Sequence, residues 1–199
     1  MSLNLLMDIL PEYVTIDGED YFLDTNFRNG IIFEKIAFTD IPIEDKVAQL
    51  LPVFFTEQIP RDIATAMDSI IKFYSCGVDP KKTDTPKRRK NGNVVLKPKM
   101  IYDYFHDAPY IYAAFMGNYG IDLNDIEYLH WWKFHALFRG LPSSAKIVEI
   151  MGYRGTDLGR IKSKSEQERI ARMKEIYALP QELSFEDKVA MAGMAFGGV

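Results

Sequence analysis

Apolar and polar residues alternate only near the start of the chain. Tyr13-Val-Thr-Ile16 and Tyr21-Phe-Leu23 are short β-prone runs on either side of Asp17-Gly-Glu-Asp20, whose Asp-Gly pair favours a tight turn, so the pattern predicts a small hairpin. A lone hairpin is marginal in water and must lie on helices. After Leu23 the spacing becomes helical. Asp24 or Thr25 caps a helix from about Asn26 to Phe38, where Phe27, Ile31, Ile32 and Ile36 recur on one face despite Gly30. Ile43 to Phe55 forms a second short helix, stopped or bent by Pro52. A third starts at Ile59-Pro60-Arg61, with Pro60 in its first turn and a stripe of Ile63, Ala64, Met67, Ile70, Ile71 and Tyr74, and ends near Cys76-Gly77.

Apolar density returns after Met100. Asp107 caps a helix through Tyr110–Met116, with Pro109 in its first turn and Gly120 as its stop. Asn124 or Asp122 caps Ile126–Arg139, so apolar that more than one face must be buried, and Gly140-Leu-Pro142 ends it. A short helix runs from Ser143 or Ser144 to Met151, closed by Gly152, and Ser165-Glu-Gln-Glu168 reads as the capping box of a charged amphipathic helix through Tyr177. The expectation is a mainly α, single helical domain over residues 1–180 with a small N-terminal β-hairpin, followed by a weakly ordered tail over residues 181–199.

Charge interrupts this picture once. Asp79 to Lys99 carries eight basic against two acidic residues, a net +6 that leaves −10 for the rest of a chain whose total is −4. Pro80, Pro86 and Pro98 and the scarcity of apolar residues predict a mobile basic loop there. Lys87, Arg88, Arg89 and Lys90 are its densest cluster, but without interleaved aromatic residues to stack bases it reads as a solvated loop and not a nucleic-acid contact. The 199 residues, 47% apolar and 26% charged, fit one globular core and exclude collagen-like, disulfide-scaffold and wholly disordered classes. Met1-Ser-Leu-Asn-Leu-Leu-Met-Asp8 lacks a basic n-region and a cleavage site, and no apolar run reaches the roughly 20 residues of a membrane span.

Catalytic chemistry finds little to build on. The solitary Cys76 cannot form an intramolecular disulfide, follows an amphipathic stripe and reads as a half-buried structural thiol in a reducing compartment. His130 and His135, five positions apart, would point about 140° apart on a helix and cannot pair on a metal, while His106 stands alone. Gly152-Tyr-Arg-Gly155-Thr-Asp-Leu-Gly159 offers glycines beside Arg154 and Arg160 but matches neither the P-loop nor the dinucleotide fingerprint, so it reads as a helix-to-helix connector. The expectation is a non-enzymatic protein with no metal or cofactor. Its interaction surface is expected at the aromatic cluster. Trp131 and Trp132 lie about 100° apart on a helix, so one enters the core and the other, partly accessible, joins Phe134, Tyr110, Tyr112 and Phe115 in a partner-binding groove.

The segments Val14-Thr-Ile-Asp-Gly-Glu-Asp-Tyr21, Asp24-Thr-Asn-Phe-Arg28, Tyr102-Asp-Tyr-Phe-His-Asp-Ala-Pro-Tyr-Ile-Tyr-Ala-Ala-Phe115, Tyr119-Gly-Ile-Asp-Leu123, Leu129-His-Trp-Trp-Lys-Phe134, and Tyr153-Arg154 with Asp157-Leu158 resemble the bacteriophage "gene product fifteen" family over about residues 10–180. That resemblance implies a siphophage or prophage tail-morphogenesis protein encoded near the tape-measure gene and acting in the bacterial host cytoplasm. It implies a tail assembly chaperone that binds the tape-measure protein and other tail components, as a homo-oligomer or hetero-oligomer, without membrane. The alternative is a minor structural tail or connector protein retained in the virion. The family supplies no catalytic residue. With 13 Phe, 11 Tyr and 9 Met, some aromatic surface is expected to remain for subunit contacts.

Overall fold

The computed structural model describes residues 4–77 and 100–180. The basic segment with Lys87, Arg88, Arg89 and Lys90, and the tail from residue 181, lie outside the described residues. The fold is mainly α: seven α-helices and one two-stranded antiparallel hairpin are present among the described residues, and none of these helices is long and apolar enough to cross a membrane.

The described residues gather into two compact units, each discontinuous in sequence. The first takes the described residues up to Gly77 together with Tyr112–Pro142; the second takes Met100–Ile111 and the described residues from Ser143 onward.

In the first unit β1 (Tyr13–Ile16) pairs with β2 (Glu19–Phe22) in the register Tyr13↔Phe22 to Ile16↔Glu19. Asp17 and Gly18 both take positive φ, 52° and 82°, the backbone a two-residue hairpin turn demands. Three helices follow: α1 (Phe27–Phe38), α2 (Ile43–Phe54) and α3 (Ile63–Tyr74). Asn26 caps α1 by accepting from Arg28 N, and Asp62 caps α3 by accepting from Thr65 N. The third helix therefore starts after Pro60, not at it, because Asp62 supplies the acceptor that a proline cannot. Pro52 stays inside the last turn of α2, and Cys76 and Gly77 end α3 with positive φ of 54° and 77°. α4 (Ala108–Tyr119) opens in the second unit and continues in the first, where Gly120 at φ 65° closes it.

The fifth helix departs from expectation. α5 spans only Trp131–Arg139, capped by the His130 side chain, and residues 121–129 are not helical. Carbonyls that a helix would need are taken by side chains from the start of α1: Arg28 donates to Leu123 O, Asn124 O and Ile126 O, and Asn26 Nδ2 donates to Glu127 O. A single antiparallel bridge, Phe27 N to Leu129 O and Trp131 N to Thr25 O at 2.8 Å each, then sets the starts of α1 and α5 side by side.

In the second unit α6 (Lys146–Gly155) passes through Gly152, whose absent side chain meets nothing, instead of ending there; neither Ser143 nor Ser144 is its N-cap. A 3-10 turn at Leu158–Arg160 leads to α7 (Lys164–Ile176), capped by Ser163 and not by Ser165. Ser163 Oγ accepts from Glu166 N, so the cap lies two residues earlier than the sequence suggests, while the Glu166 carboxylate accepts from Arg169. Ile147, Ile150 and Ile170 are buried here, together with Asp107 and Arg154.

Candidate functional site

The aromatic cluster is a core. Trp131 is 1% exposed and Trp132 8%, so the expectation of one accessible tryptophan is overturned. The two indoles do diverge, but α3 ends between them: Trp131 Nε1 donates to Tyr74 O at 2.8 Å and Trp132 Nε1 to Phe73 O at 2.7 Å. Successive carbonyls at a helix C-terminus have no partner within the helix, and this pair of tryptophans reaches both, Phe73 O also accepting from Cys76 N at 2.9 Å. Trp131 stacks on Tyr74 and Phe134, while Trp132 stacks on Phe73. Phe134 also stacks on Phe27 and Phe115, at 4.9 and 5.0 Å between centroids.

Of the six residues expected to meet a partner, the structure brings Trp131, Phe134 and Phe115 into one buried stack with Trp132 beside it. Tyr110 belongs to the second unit, half-buried edge-on to Tyr177. Tyr112 alone of the six is exposed. Its hydroxyl donates to Asp122 Oδ2 at 2.9 Å, which raises the Tyr112 pKa. Asp122 is held below the usual carboxylate range, chiefly by the Asn124 N–H it accepts.

Tyr112 lies on a surface the sequence reading did not single out. α4 has no charged residue in its 12 positions, and its exposed residues within the first unit are Tyr112, Ala113, Met116, Gly117 and the polar Asn118. The first four are spaced i, i+1, i+4, i+5, a stripe along one side of a helix, with Asn118 beside its end. Large and small side chains alternate on it. Charge-free composition over a whole helix was the available signal, but such a helix is ordinarily read as fully buried.

A concavity in the first unit has a volume of about 390 Å³, lined in part by Pro11, Val14, Leu23, Lys72, Phe73 and Trp132. The titratable groups nearby are quiet. His130 Nδ1 accepts from Trp132 N at 3.0 Å, and burial holds its pKa below the ordinary value. Cys76 Sγ lies 3.6 Å from His135 Nδ1; burial pushes the thiol pKa up to about 11, and burial together with Arg139 lowers that of His135. Both groups are therefore neutral near pH 7, the reverse of an activated thiolate–imidazolium pair. Among the described residues no three His, Cys, Asp or Glu side chains converge as metal ligands would.

Arg154, weighed as a phosphate contact in the glycine-rich connector, is 4% exposed. It makes a bidentate pair with Asp107, Nη1 to Oδ2 at 2.6 Å and Nη2 to Oδ1 at 2.9 Å, and also donates to Ile101 O and Tyr177 O. Every guanidinium nitrogen is occupied, so this arginine is a structural clasp of the second unit.

A family model described as Bacteriophage Gp15 protein matches residues 6–179. No curated protein and no solved structure matches the chain. The matched span contains both compact units as described, from the hairpin to α7, and it includes the Leu129–Phe134 segment that carried the resemblance. The chain belongs to the bacteriophage Gp15 protein family.

Proposed function

We propose that this protein is a tail-assembly-chaperone-like factor, working without catalysis or cofactor in the cytoplasm of the phage's bacterial host, that binds the tape-measure protein and other tail components during assembly. Membership of a bacteriophage family supports the setting. The observation that carries the binding role is the charge-free solvent face of α4 at Tyr112, Ala113, Met116 and Gly117. A long helical protein with apolar stripes needs a reversible cover before the tail tube encloses it. Small residues let two helices approach closely, while Met and Tyr adapt to varied apolar side chains.

Co-expression of this protein with the tape-measure protein of the same phage tests the reading. Capture of the tape measure is expected, and Met116→Asp should weaken it at least tenfold, about 1.4 kcal/mol, without changing the melting curve. No capture by the wild type, or equal capture by the variant, overturns it. Virions should lack the protein by mass spectrometry; its presence at fixed stoichiometry would instead make it a minor structural tail or connector protein.

A further inference from the structure

The exposed face of α4 contains a glycine that the fold does not require. Gly30 in α1 is fixed by the Trp131 ring, whereas a Cβ on Gly117 would meet nothing within 4 Å. Glycine inside a helix is destabilising relative to alanine, and no neighbour within the chain offsets that cost here. With Ala113 one turn before it, Gly117 opens a notch between Tyr112 and Met116, which are 38% and 40% exposed. Small residues one turn apart let a second helix come close, and the two larger side chains then flank it.

Charge decides which helix. Over its described residues the first unit carries 16 acidic against 7 basic side chains, a net −9. Two of these carboxylates border the notch. Asp122 Oδ2 accepts from the Tyr112 hydroxyl at 2.9 Å, and Asp125 follows in the same turn, its N–H donating to Asp122 Oδ1. Asp122 stays ionised, because the Asn124 N–H and the Tyr112 hydroxyl hold its pKa down. Neither carboxylate makes an ion pair among the described residues, and Arg28, anchored in the same loop, gives its Nη2 to Leu123 O, Asn124 O and Ile126 O. A second copy docking through the same face would bring two acidic units together, so charge opposes self-association there. A helix with basic residues beside its apolar stripe meets opposite charge at the rim and none at the centre.

We infer that the α4 face takes an amphipathic helix of another protein, crossing at Ala113 and Gly117, with a lysine or arginine beside its apolar stripe meeting Asp122 and Asp125. This rests on the binding role proposed for α4 and specifies the partner's chemistry: aliphatic or small within the stripe, basic at its edge.

Two synthetic helical peptides with the same stripe of alanine and leucine, one flanked by lysine and the other by glutamate, test it against the full chain by fluorescence anisotropy. The lysine-flanked peptide should bind in the micromolar range, at least about tenfold tighter than the other at low salt, and the gap should close as salt rises. Asp125→Lys, at a side chain without a hydrogen bond or ion pair among the described residues, should cut the preference at least about threefold. Gly117→Leu should weaken the lysine-flanked peptide at least about tenfold, with the circular-dichroism melt unchanged or raised because that space is open. Equal binding of the two peptides, a preference that Asp125→Lys leaves intact, or wild-type binding by Gly117→Leu overturns the inference. Co-expression with the tape-measure protein separates it from the proposed function. A tape measure captured equally by Asp125→Lys and Gly117→Leu overturns the inference and leaves the chaperone reading in place. Peptide discrimination without capture of the tape measure supports the inference and removes the tape measure as the partner.

Discussion

Replacing Gly30 by alanine sets the preference of a helix against the packing of its neighbour. Gly30 lies inside α1, where glycine costs about 0.5–1 kcal/mol relative to alanine, so local propensity alone says the substitution stabilises. A Cβ at Gly30, however, would stand 2.2 Å from Trp131 Cε3 and 2.4 Å from Cδ2. No carbon pair tolerates that approach, and the obstructing atoms belong to a rigid ring, not the end of a flexible chain. Trp131 cannot yield easily: it is fully buried, stacked on Tyr74 at 5.4 Å, and tied through Nε1 to Tyr74 O. Overpacking of this kind costs about 1–3 kcal/mol, and loss of the indole hydrogen bond adds about 1. After the helix gain is subtracted, Gly30→Ala should destabilise the first unit by about 1–3 kcal/mol. For a unit of roughly 100 residues this lowers Tm by about 5–15 °C.

Intrinsic fluorescence reads the unit directly, since both tryptophans lie in it. Gly117→Ala is the matched control: it is also within a helix, but nothing lies within 4 Å of its absent Cβ, so it should raise stability by about 0.5–1 kcal/mol. Trp131→Phe combined with Gly30→Ala should cost less than the two changes added, because removing the second ring removes the collision. If Gly30→Ala melts at or above the wild-type temperature, the contact between α1 and Trp131 is not as described.

Three further outcomes follow from the buried groups. Trp131→Ala and Trp132→Ala should each cost about 3–5 kcal/mol by urea denaturation; a Trp132→Ala variant that folds like the wild type would restore the accessible-tryptophan reading. Asp107→Ala should cost about 3–5 kcal/mol in the second unit by leaving the buried Arg154 guanidinium uncompensated, and a loss below about 1 kcal/mol, followed by hydrogen exchange in α6 and α7, would refute the clasp. His130 titrates below its ordinary value of about 6.5, so the unfolded chain binds the proton first; stability is full above that pH and declines as pH falls through the depressed value. His130→Asn keeps a capping acceptor without the titration and should flatten the decline seen in Tm against pH, leaving the share due to His135; an unchanged slope would remove His130 as its cause.

The parts of the fold legible in the sequence are those decided locally. Asp17-Gly18 declares the hairpin because the turn itself needs positive φ at both positions, and α1 and α2 appear close to their expected bounds because apolar spacing and the short connections between them suffice. The start of α5 was not legible. Whether Ile126–Leu129 continues a helix depends on whether its carbonyls are free, and the distant start of α1 takes three of them: Arg28 that of Ile126, Asn26 Nδ2 that of Glu127 and Phe27 N that of Leu129. The Arg154–Asp107 pair spans 47 positions and has no local trace either, so a buried clasp resembled part of an exposed glycine-rich connector. Gly30 looked like a weakness in a helix because its reason is a ring 101 positions downstream.

The misplacement of the partner surface has the same origin. Two adjacent tryptophans on a helix must diverge by about 100°, and divergence implies exposure only if the core lies on one side. Here the C-terminus of α3 faces both rings, and its last two carbonyls accept one indole N–H each, Phe73 O beside the Cys76 N–H it already holds, so the divergence is what lets the pair reach both. Burial of Trp131, Trp132, Phe134 and Phe115 then uses much of the aromatic area that the composition had assigned to a groove. What remains apolar and exposed among the described residues includes Tyr112 and Met116 on α4, Leu6, Met7 and Ile9 near the start of the chain, and single residues such as Phe38, Ile43 and Phe105 elsewhere. The α4 face is marked instead by missing charge: a water-facing helix side ordinarily carries Lys, Glu or Arg, and α4 carries none in twelve positions. On the proposed chaperone role, that absence is the more informative signal, since a charge on the contact face would have to be desolvated each time a partner binds.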